Sequence, residues 1–159
     1  MINQNKIISP FNQSRSVSRL STVQALYQIE FSGENPEAVI EEFISRRFGS
    51  DLDGDKYAEA DLEFFKLAVS KGASSTAKID SMLIDALSKD HSLDRLDGIL
   101  RALLRAATFE LIDRKEIPLK VVLDEDLDIA HAFFSGTEPK LVNGVLDTLA
   151  HRLRPDEFK

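Results

Sequence analysis

Two arginines near the amino terminus have the type and spacing to bind phosphate. Arg15 and Arg19 are four positions apart, so they share one face if the segment is helical. A guanidinium matches the geometry of phosphate oxygens, and phosphate contacts position a nucleic acid without reading its bases. Residues 1–29 contain no acidic side chain, and Lys6 adds a third basic one. The pattern predicts a short phosphate-binding segment; the alternative is that both arginines lie on a solvated surface.

Tyr27 lies further along the same segment. An exposed aromatic ring can stack on a base of single-stranded RNA or contact a protein partner. Tyr27 also falls on the apolar stripe of Leu20 and Val23, which favours a half-buried core position. The sequence leaves both interpretations open.

A second pair of arginines, Arg101 and Arg105, also has helical spacing. These side chains could reach RNA or a protein partner. The alternative is that they form ion pairs with Glu110 or with the acidic segment 124–128.

Other kinds of site find little support. The acidic segment 51–62 suggests a calcium-binding loop, but Lys56 stands where the loop needs glycine and Leu62 where it needs a bidentate glutamate. We therefore expect a solvated loop there. The histidines are isolated, cysteine is absent, and no nucleophile elbow, phosphate-binding glycine loop or dinucleotide motif occurs. We expect no metal, no cofactor and no enzymatic activity.

The overall composition argues against a protein that binds nucleic acid over its whole surface. The chain has 159 residues and a formal net charge of −7, so its summed field repels phosphate. A basic segment on an acidic body can still bind RNA if a basic partner supplies further contacts. The N-terminus lacks the apolar core of a signal peptide, and no stretch approaches the roughly 20 apolar residues of a membrane span. These features predict a cytoplasmic protein.

The elements that must position these residues are all predicted to be helices. Residues 1–13 read as a flexible tail, and 14–155 as one helical domain with lobes over about 14–88 and 92–155. A break near Gly72 and Ser74–Ser75 is expected within the long third pattern. The predicted helices run from about Ser14 to Phe31, Pro36 (after an Asn35 cap) to Gly49, Tyr57 to Leu87, Asp94 (after a Ser92 cap) to Asp113, Pro118 to Phe134, and Thr137 to Pro155.

The fourth of these patterns is the most regular. Its apolar residues cover a wide arc, so we expect that helix to be central. In the last helix, Asn143-Gly144 interrupts good helix formers. We expect Gly144 to allow another helix to approach closely, because glycine otherwise costs about 1 kcal/mol relative to alanine there.

Three ordered motifs resemble those of the NusB family. Val23-Gln24-Ala25-Leu26-Tyr27-Gln28 is similar to its "QALYQ" signature. Arg95-Leu96, followed by residues 99–106 and Phe109-Glu110-Leu111, is similar to "RL…ILR…A.YEL". The segment from Ile117-Pro118 to residue 126, and then Val142-Asn143-Gly144-Val145-Leu146-Asp147, are similar to "IP…V.INEA" and "FVNGVLD".

The resemblance implies an all-α protein of about seven helices in two packed three-helix lobes. It also implies a transcription antitermination factor that binds boxA RNA together with NusE, a protein of the small ribosomal subunit, within the RNA polymerase antitermination complex at ribosomal RNA operons. RNA contacts would fall on Arg15, Arg19 and Tyr27. Further contacts with RNA or a partner would fall on Arg101, Arg105, Lys140 and Leu141. Some relatives are thought to form homodimers.

The chain departs from the family pattern in three places. Ser16 and Ser18 stand where additional basic residues often occur, and Leu141 replaces a phenylalanine. The "INEA" segment reads Leu123-Asp124-Glu125-Asp126. Two other functions are considered: a helical protein–protein adaptor without an RNA role, and an RNA methyltransferase, for which the chain is too short and lacks a cofactor loop.

Overall fold

The protein is described by a computed structural model that covers residues 10–48 and 58–158, with side chains from residue 15 to 46 and from 61 to 158. Within these residues the chain forms seven α-helices and no strand, as predicted. A π-helical turn, Ile44–Phe48, continues the second helix, and short 3-10 turns lie at Leu93–Arg95 and Pro155–Phe158. The α-helices are α1 (Pro10–Ser32), α2 (Pro36–Phe43), α3 (Ala58–Ser74), α4 (Thr76–Ala86), α5 (Gly98–Asp113), α6 (Leu119–Phe133) and α7 (Glu138–Leu153).

Several helix ends match their sequence signals. Gly33 adopts a φ of 75° and donates its backbone N–H to Ile29 O, which ends α1 in the left-handed conformation that glycine favours. Asn35 then caps α2, because its Oδ1 accepts a hydrogen bond from Glu37 N at 2.8 Å. The predicted break in the third pattern is confirmed at Ser75, between α3 and α4. These three helix boundaries depend on local residues alone, so the sequence predicts them without knowledge of tertiary contacts.

Three other boundaries differ from the prediction. Helix α1 begins at Pro10, so residues 10–13 of the predicted tail are helical, while 1–9 lie outside the described residues. The cap of α5 is Asp97, whose Oδ1 accepts from Ile99 N at 2.8 Å; Ser92 precedes only the 3-10 turn. Thr137 precedes α7 but makes no side-chain cap bond. The acidic segment 51–57 and Gly49 lie outside the described residues.

Helix α5 is central, as expected. It packs against α1, α3, α4, α6 and α7. Helix α4 packs on α5 and α7 and also contacts α3. One hydrophobic core extends through these helices and includes Val23, Phe65, Leu103, Leu104, Leu111, Leu146 and Leu149.

The packing glycine is Gly98 rather than Gly144. A Cβ built on Gly98 would lie 2.8 Å from Tyr27 Cε1, so the start of α5 approaches α1 too closely for any other residue without a shift. A Cβ on Gly144 would meet nothing within 4 Å. The expectation that Gly144 lets another helix approach was therefore wrong, and Asn143 and Gly144 both lie on the exposed face of α7.

Candidate nucleic-acid and partner interface

Arg19, on the inner face of α1, forms a buried ion pair. Its side chain is 5% exposed. Its Nε lies 3.0 and 3.1 Å from the two carboxylate oxygens of Glu110 on α5, and its Nη2 donates to Glu110 Oε2 at 2.5 Å. Burial alone would lower the pKa of Arg19, but the hydrogen bonds and the charge of Glu110 outweigh burial and raise it. Arg19 is therefore a fixed internal cation, not the solvated surface residue of the alternative interpretation.

Arg15, one turn earlier on α1, is tied to α3. Its Nε donates to Asp61 Oδ1 at 2.8 Å, and its guanidinium carbon lies 4.6 Å from the centre of the Phe64 ring. Its side chain is 15% exposed, against 1% for that of Asp61. Arg114, from the end of α5, reaches the same ring at 5.1 Å. Phe64 therefore provides an apolar surface on which arginines of two helices lie.

Acidic partners offset the charge of this part of α1. Ser16 Oγ donates to Glu125 Oε1 at 2.7 Å, and the same oxygen lies 3.4 Å from Arg19 Nη1. Arg15 and Arg19 thus face three carboxylates, from Asp61, Glu110 and Glu125. The acid-free sequence of residues 1–29 suggested a basic surface, but folding brings acids from α3, α5 and α6 against it.

Tyr27 is half-buried and packs against the core, where it touches Gly98. Its ring stacks on that of Phe31, with centroids 5.9 Å apart and planes 14° apart. Phe31 is 79% exposed, the highest value among the exposed large apolar side chains of the described residues. Tyr27 thus lies partly in the core, as one of the two interpretations expected, while Phe31 extends the aromatic pair into solvent.

Arg101 and Arg105 form an ionic network beside this aromatic pair. Arg105 binds Asp80 on α4 through two hydrogen bonds of 2.8 Å, and its Nη1 lies 3.4 Å from Glu30 Oε2. Arg101 Nε donates to Glu30 at 2.9 and 3.1 Å, and its Nη1 donates to the carbonyls of Leu93 and Leu96. Ion pairing was expected, but with Glu110 or residues 124–128; the partners are Glu30 and Asp80. The network ties the end of α1 to α4 and α5.

Lys140 and Leu141 lie in the first turn of α7. Both backbone N–H groups donate to Thr137 O at 3.1 Å. The Lys140 side chain is exposed, whereas Leu141 is half-buried and packs against the core. Of the sequence-predicted site residues, Lys140 is the most open to solvent.

Arg154, which the sequence did not single out, completes the end of α5. Its buried guanidinium donates to the carbonyls of Glu110, Leu111, Arg114 and Ile117 at 2.6 to 3.1 Å. The carbonyl of Leu111 lies in the last turn of α5, where a helix leaves carbonyls without internal partners. The carbonyls of Glu110 and Arg114 also accept hydrogen bonds from the backbone N–H groups of Arg114 and Ile117. No sequence signal identifies it, since an arginine before a proline has no characteristic tertiary partner.

Glu157 extends this arrangement to α6. One of its oxygens accepts a hydrogen bond from Leu119 N at 3.0 Å, and the other lies 3.2 Å from Arg154 Nη1. Pro118, which precedes α6, has no side chain able to cap it. The carboxylate of Glu157 therefore caps the start of α6 from a distant part of the chain.

No group of three or more histidine, cysteine, aspartate or glutamate side chains in the described part of the chain is arranged to hold a metal ion. None of the helices described there is long and apolar enough to cross a membrane.

Comparison with known proteins relates the chain to one family along most of its length. The sequence model of the NusB family matches residues 16–151. The transcription antitermination protein NusB of Rhizobium rhizogenes is 44% identical over 145 residues, which is 91% of each chain. Its counterpart in Bartonella tribocorum is 46% identical over 140 residues, covering 88% of this chain and 90% of that one.

Two solved structures have the same fold. Thermotoga maritima NusB superimposes with a TM-score of 0.76 at 32% identity and covers 91% of this chain and 96% of its own. The solution structure of Aquifex aeolicus NusB gives a TM-score of 0.66 at 26% identity, with 92% and 93% covered.

Proposed function

The chain belongs to the NusB family, and from this membership we propose that it acts in transcription antitermination by binding boxA RNA together with NusE in the RNA polymerase antitermination complex. Membership carries the proposal, because curated relatives that match nine-tenths of the chain bear the name of that activity. The protein acts as an adaptor in this proposal and catalyses no reaction.

The RNA contacts are proposed to fall on Arg15, Lys140 and Leu141. Arg15 keeps part of its side chain in solvent, and Lys140 is exposed. Arg19 has a different task, because its donors are directed at Glu110 and its side chain is almost fully buried. It holds α1 on α5, so that Arg15 is presented at a fixed position.

A basic partner is a required part of this proposal. The carboxylates of Asp61, Glu110 and Glu125 offset the charge of both arginines, and the whole chain carries a formal charge of −7. Phosphate binding that depends on so few cations is weak, because each phosphate contact adds to the affinity. A ribosomal protein such as NusE would add the missing cations and reduce the repulsion.

The aromatic pair Tyr27 and Phe31 is assigned to the protein partner rather than to RNA. The nearby arginines, Arg101 and Arg105, are paired with Glu30 and Asp80, so this surface carries little unbalanced positive charge for phosphate. A large exposed aromatic side chain beside a balanced ionic network suits a protein interface, where aromatic anchors contribute most of the binding energy.

A second candidate function is that of an adaptor that binds a protein partner but no RNA. One observation favours it: the arginine expected to be the second phosphate ligand, Arg19, is committed to Glu110. In that case α1 would serve only to build the fold, and the partner surface around Phe31 would be the functional one.

Calorimetric titration with boxA RNA, with and without NusE, tests the proposal. We expect weak binding alone and at least about tenfold tighter binding with NusE, a coupling of about 1.4 kcal/mol. Equal affinity in both titrations would contradict the cooperative proposal, and no RNA binding in either would leave the second candidate function.

Single variants then separate the two surfaces. Arg15→Ala should weaken RNA binding and reduce its salt dependence, since one phosphate contact is lost, while Lys78→Ala, an exposed cation on α4, should change neither. Phe31→Ser should weaken NusE binding and leave the RNA affinity of the free protein unchanged. Arg19→Ala is unsuitable here, because it would leave Glu110 buried without its partner and destabilise the fold.

A further inference from the structure

A small cavity lies beneath α1, with room for about one water molecule. Phe64 of α3 and Phe109 of α5 belong to its apolar wall. The charged groups that line it are Arg19 from α1, Glu110 from α5 and Asp126 from α6. The cavity therefore adjoins the buried ion pair that fixes α1.

Asp126 brings an unsatisfied oxygen to this cavity. Its side chain is buried, with 2% of the residue exposed, and its Oδ2 has no hydrogen-bond partner among the described residues. A buried polar atom without a partner costs about 1–3 kcal/mol, and most such atoms in proteins are bonded to protein or to ordered water. The position of Asp126 at the cavity wall thus points to a ligand inside.

The charges around Asp126 are unfavourable for a carboxylate. Arg19 is the one cation lining the described cavity, and it is already bound by both oxygens of Glu110 and lies 3.4 Å from Glu125. Helix α3 contributes only apolar side chains, Phe64 and Ala68, to the wall. An ionised Asp126 would be the third carboxylate around one guanidinium. Burial, and then repulsion by Glu110, raise the pKa of Asp126 well above its usual range, against the opposing attraction of Arg19.

A metal ion is a poor fit for the same space. Magnesium and calcium need several oxygen ligands, whereas Asp126 Oδ2 is the unbonded carboxylate oxygen at this wall. The hydroxyl of Thr22, also in the wall, donates to Ser18 O at 2.8 Å. Much of the remaining lining is carbon.

We propose that this cavity is a hydration site in which a neutral Asp126 carboxyl group hydrogen-bonds one buried water molecule, so that the protein takes up a proton here on folding. The water satisfies Oδ2, and the proton removes the third negative charge from beside Glu110 and Glu125. Stability then depends on pH in a defined direction. It is highest where Asp126 is protonated in both states and falls as pH rises from the ordinary aspartate value through the pKa of the folded state. Above that value the contribution of Asp126 is constant.

Urea unfolding over a pH series tests the proton, with Asp126→Asn as the variant and Asp124→Asn as the control. Asp124 lies on the same helix but is exposed and pairs with Lys120. Relative to Asp126→Asn, the wild-type unfolding equilibrium constant should rise by up to about tenfold per pH unit across the window. The control should keep the wild-type dependence. A wild-type curve parallel to that of Asp126→Asn would overturn the proposal.

Two measurements on the folded wild type test the proposal even if Asp126→Asn does not fold. The side-chain carboxyl carbon of Asp126, followed by NMR, should titrate well above the usual aspartate range; titration within that range refutes the neutral acid. A high-resolution crystal structure should contain one water molecule within hydrogen-bonding distance of Asp126 Oδ2. An empty cavity, or a metal ion there, refutes the hydration site.

Discussion

The ion pair between Arg19 and Glu110 should be among the most sensitive points of the fold. We expect Glu110→Gln to lower the free energy of unfolding, because it removes the counter-charge of a guanidinium that is 5% exposed. Breaking a buried ion pair by changing one partner costs about 3–5 kcal/mol. The lower end applies here, since Glu125 Oε1 remains 3.4 Å from Arg19 Nη1 and can take over part of the pairing.

A loss of about 3 kcal/mol should lower the melting temperature by about 6 to 12 °C in a chain of this size. Urea unfolding followed by circular dichroism measures the free energy, and the thermal transition gives an independent value. Arg19→Met should cost a similar amount, because it leaves Glu110 buried without a cation. The double variant Arg19→Met/Glu110→Leu should lie within about 1 kcal/mol of the wild type, since it removes both charges together.

A double-mutant cycle on Arg19 and Glu110 measures the interaction energy of the pair directly. A coupling energy of at least about 2 kcal/mol is expected between the two positions. The same cycle on Lys120 and Asp124, an exposed pair on α6, should give less than about 0.5 kcal/mol. Additive effects at Arg19 and Glu110, or a loss below about 1 kcal/mol for Glu110→Gln, would refute the reasoning from burial and geometry.

Other predictions concern helix ends and glycines. Arg154→Met should lower the free energy of unfolding by about 2–4 kcal/mol, because four hydrogen bonds of a buried guanidinium are lost and the carbonyls of Leu111 and Ile117 lose the donor it supplies; a loss under about 1 kcal/mol in urea would contradict that role. Glu157→Gln should cost about 0.5–1 kcal/mol as a weakened helix cap, and faster hydrogen exchange at Leu119 N would locate the effect. Gly144→Ala should stabilise by about 0.5–1 kcal/mol, whereas Gly98→Ala should destabilise because of its contact with Tyr27; the same sign for both would show that the packing is misassigned.

The helices were predictable because their signals are local. The period of apolar residues along α5 indicated its end at Asp113 and its central place, although α5 begins at Gly98 and not at Asp94. Asn35 with Pro36 indicated where α2 begins. The cap of α5 was misplaced at Ser92 because several residues before the helix can act as caps, and sequence alone does not show where the backbone turns. Likewise, Gly98 and Gly144 look alike in sequence, since closeness to another helix is a property of the fold.

The ion pairs were not predictable in detail, because they join residues far apart along the chain. Arg19 and Glu110 are separated by 91 positions, and Arg15 and Asp61 by 46. Helix periodicity placed Arg15 and Arg19 on one face, but it could not show that this face turns inward at Arg19. The family motifs share this limit: they are rich in core residues, so they identify the fold more directly than the RNA contacts.

The hydrogen bonds of Arg154 have a consequence for how the protein is made. Arg154 reaches back 44 positions to Glu110 O, so the end of α5 lacks the hydrogen bonds of this side chain while Arg154 is still inside the ribosome. A nascent chain that has released α1 to α5 would expose the end of α5 and the apolar surface that α7 covers. We expect such intermediates, and chains that terminate before residue 154, to be recognised by chaperones and proteases. Synthesis past this point would then allow α7 and Arg154 to pack against α5.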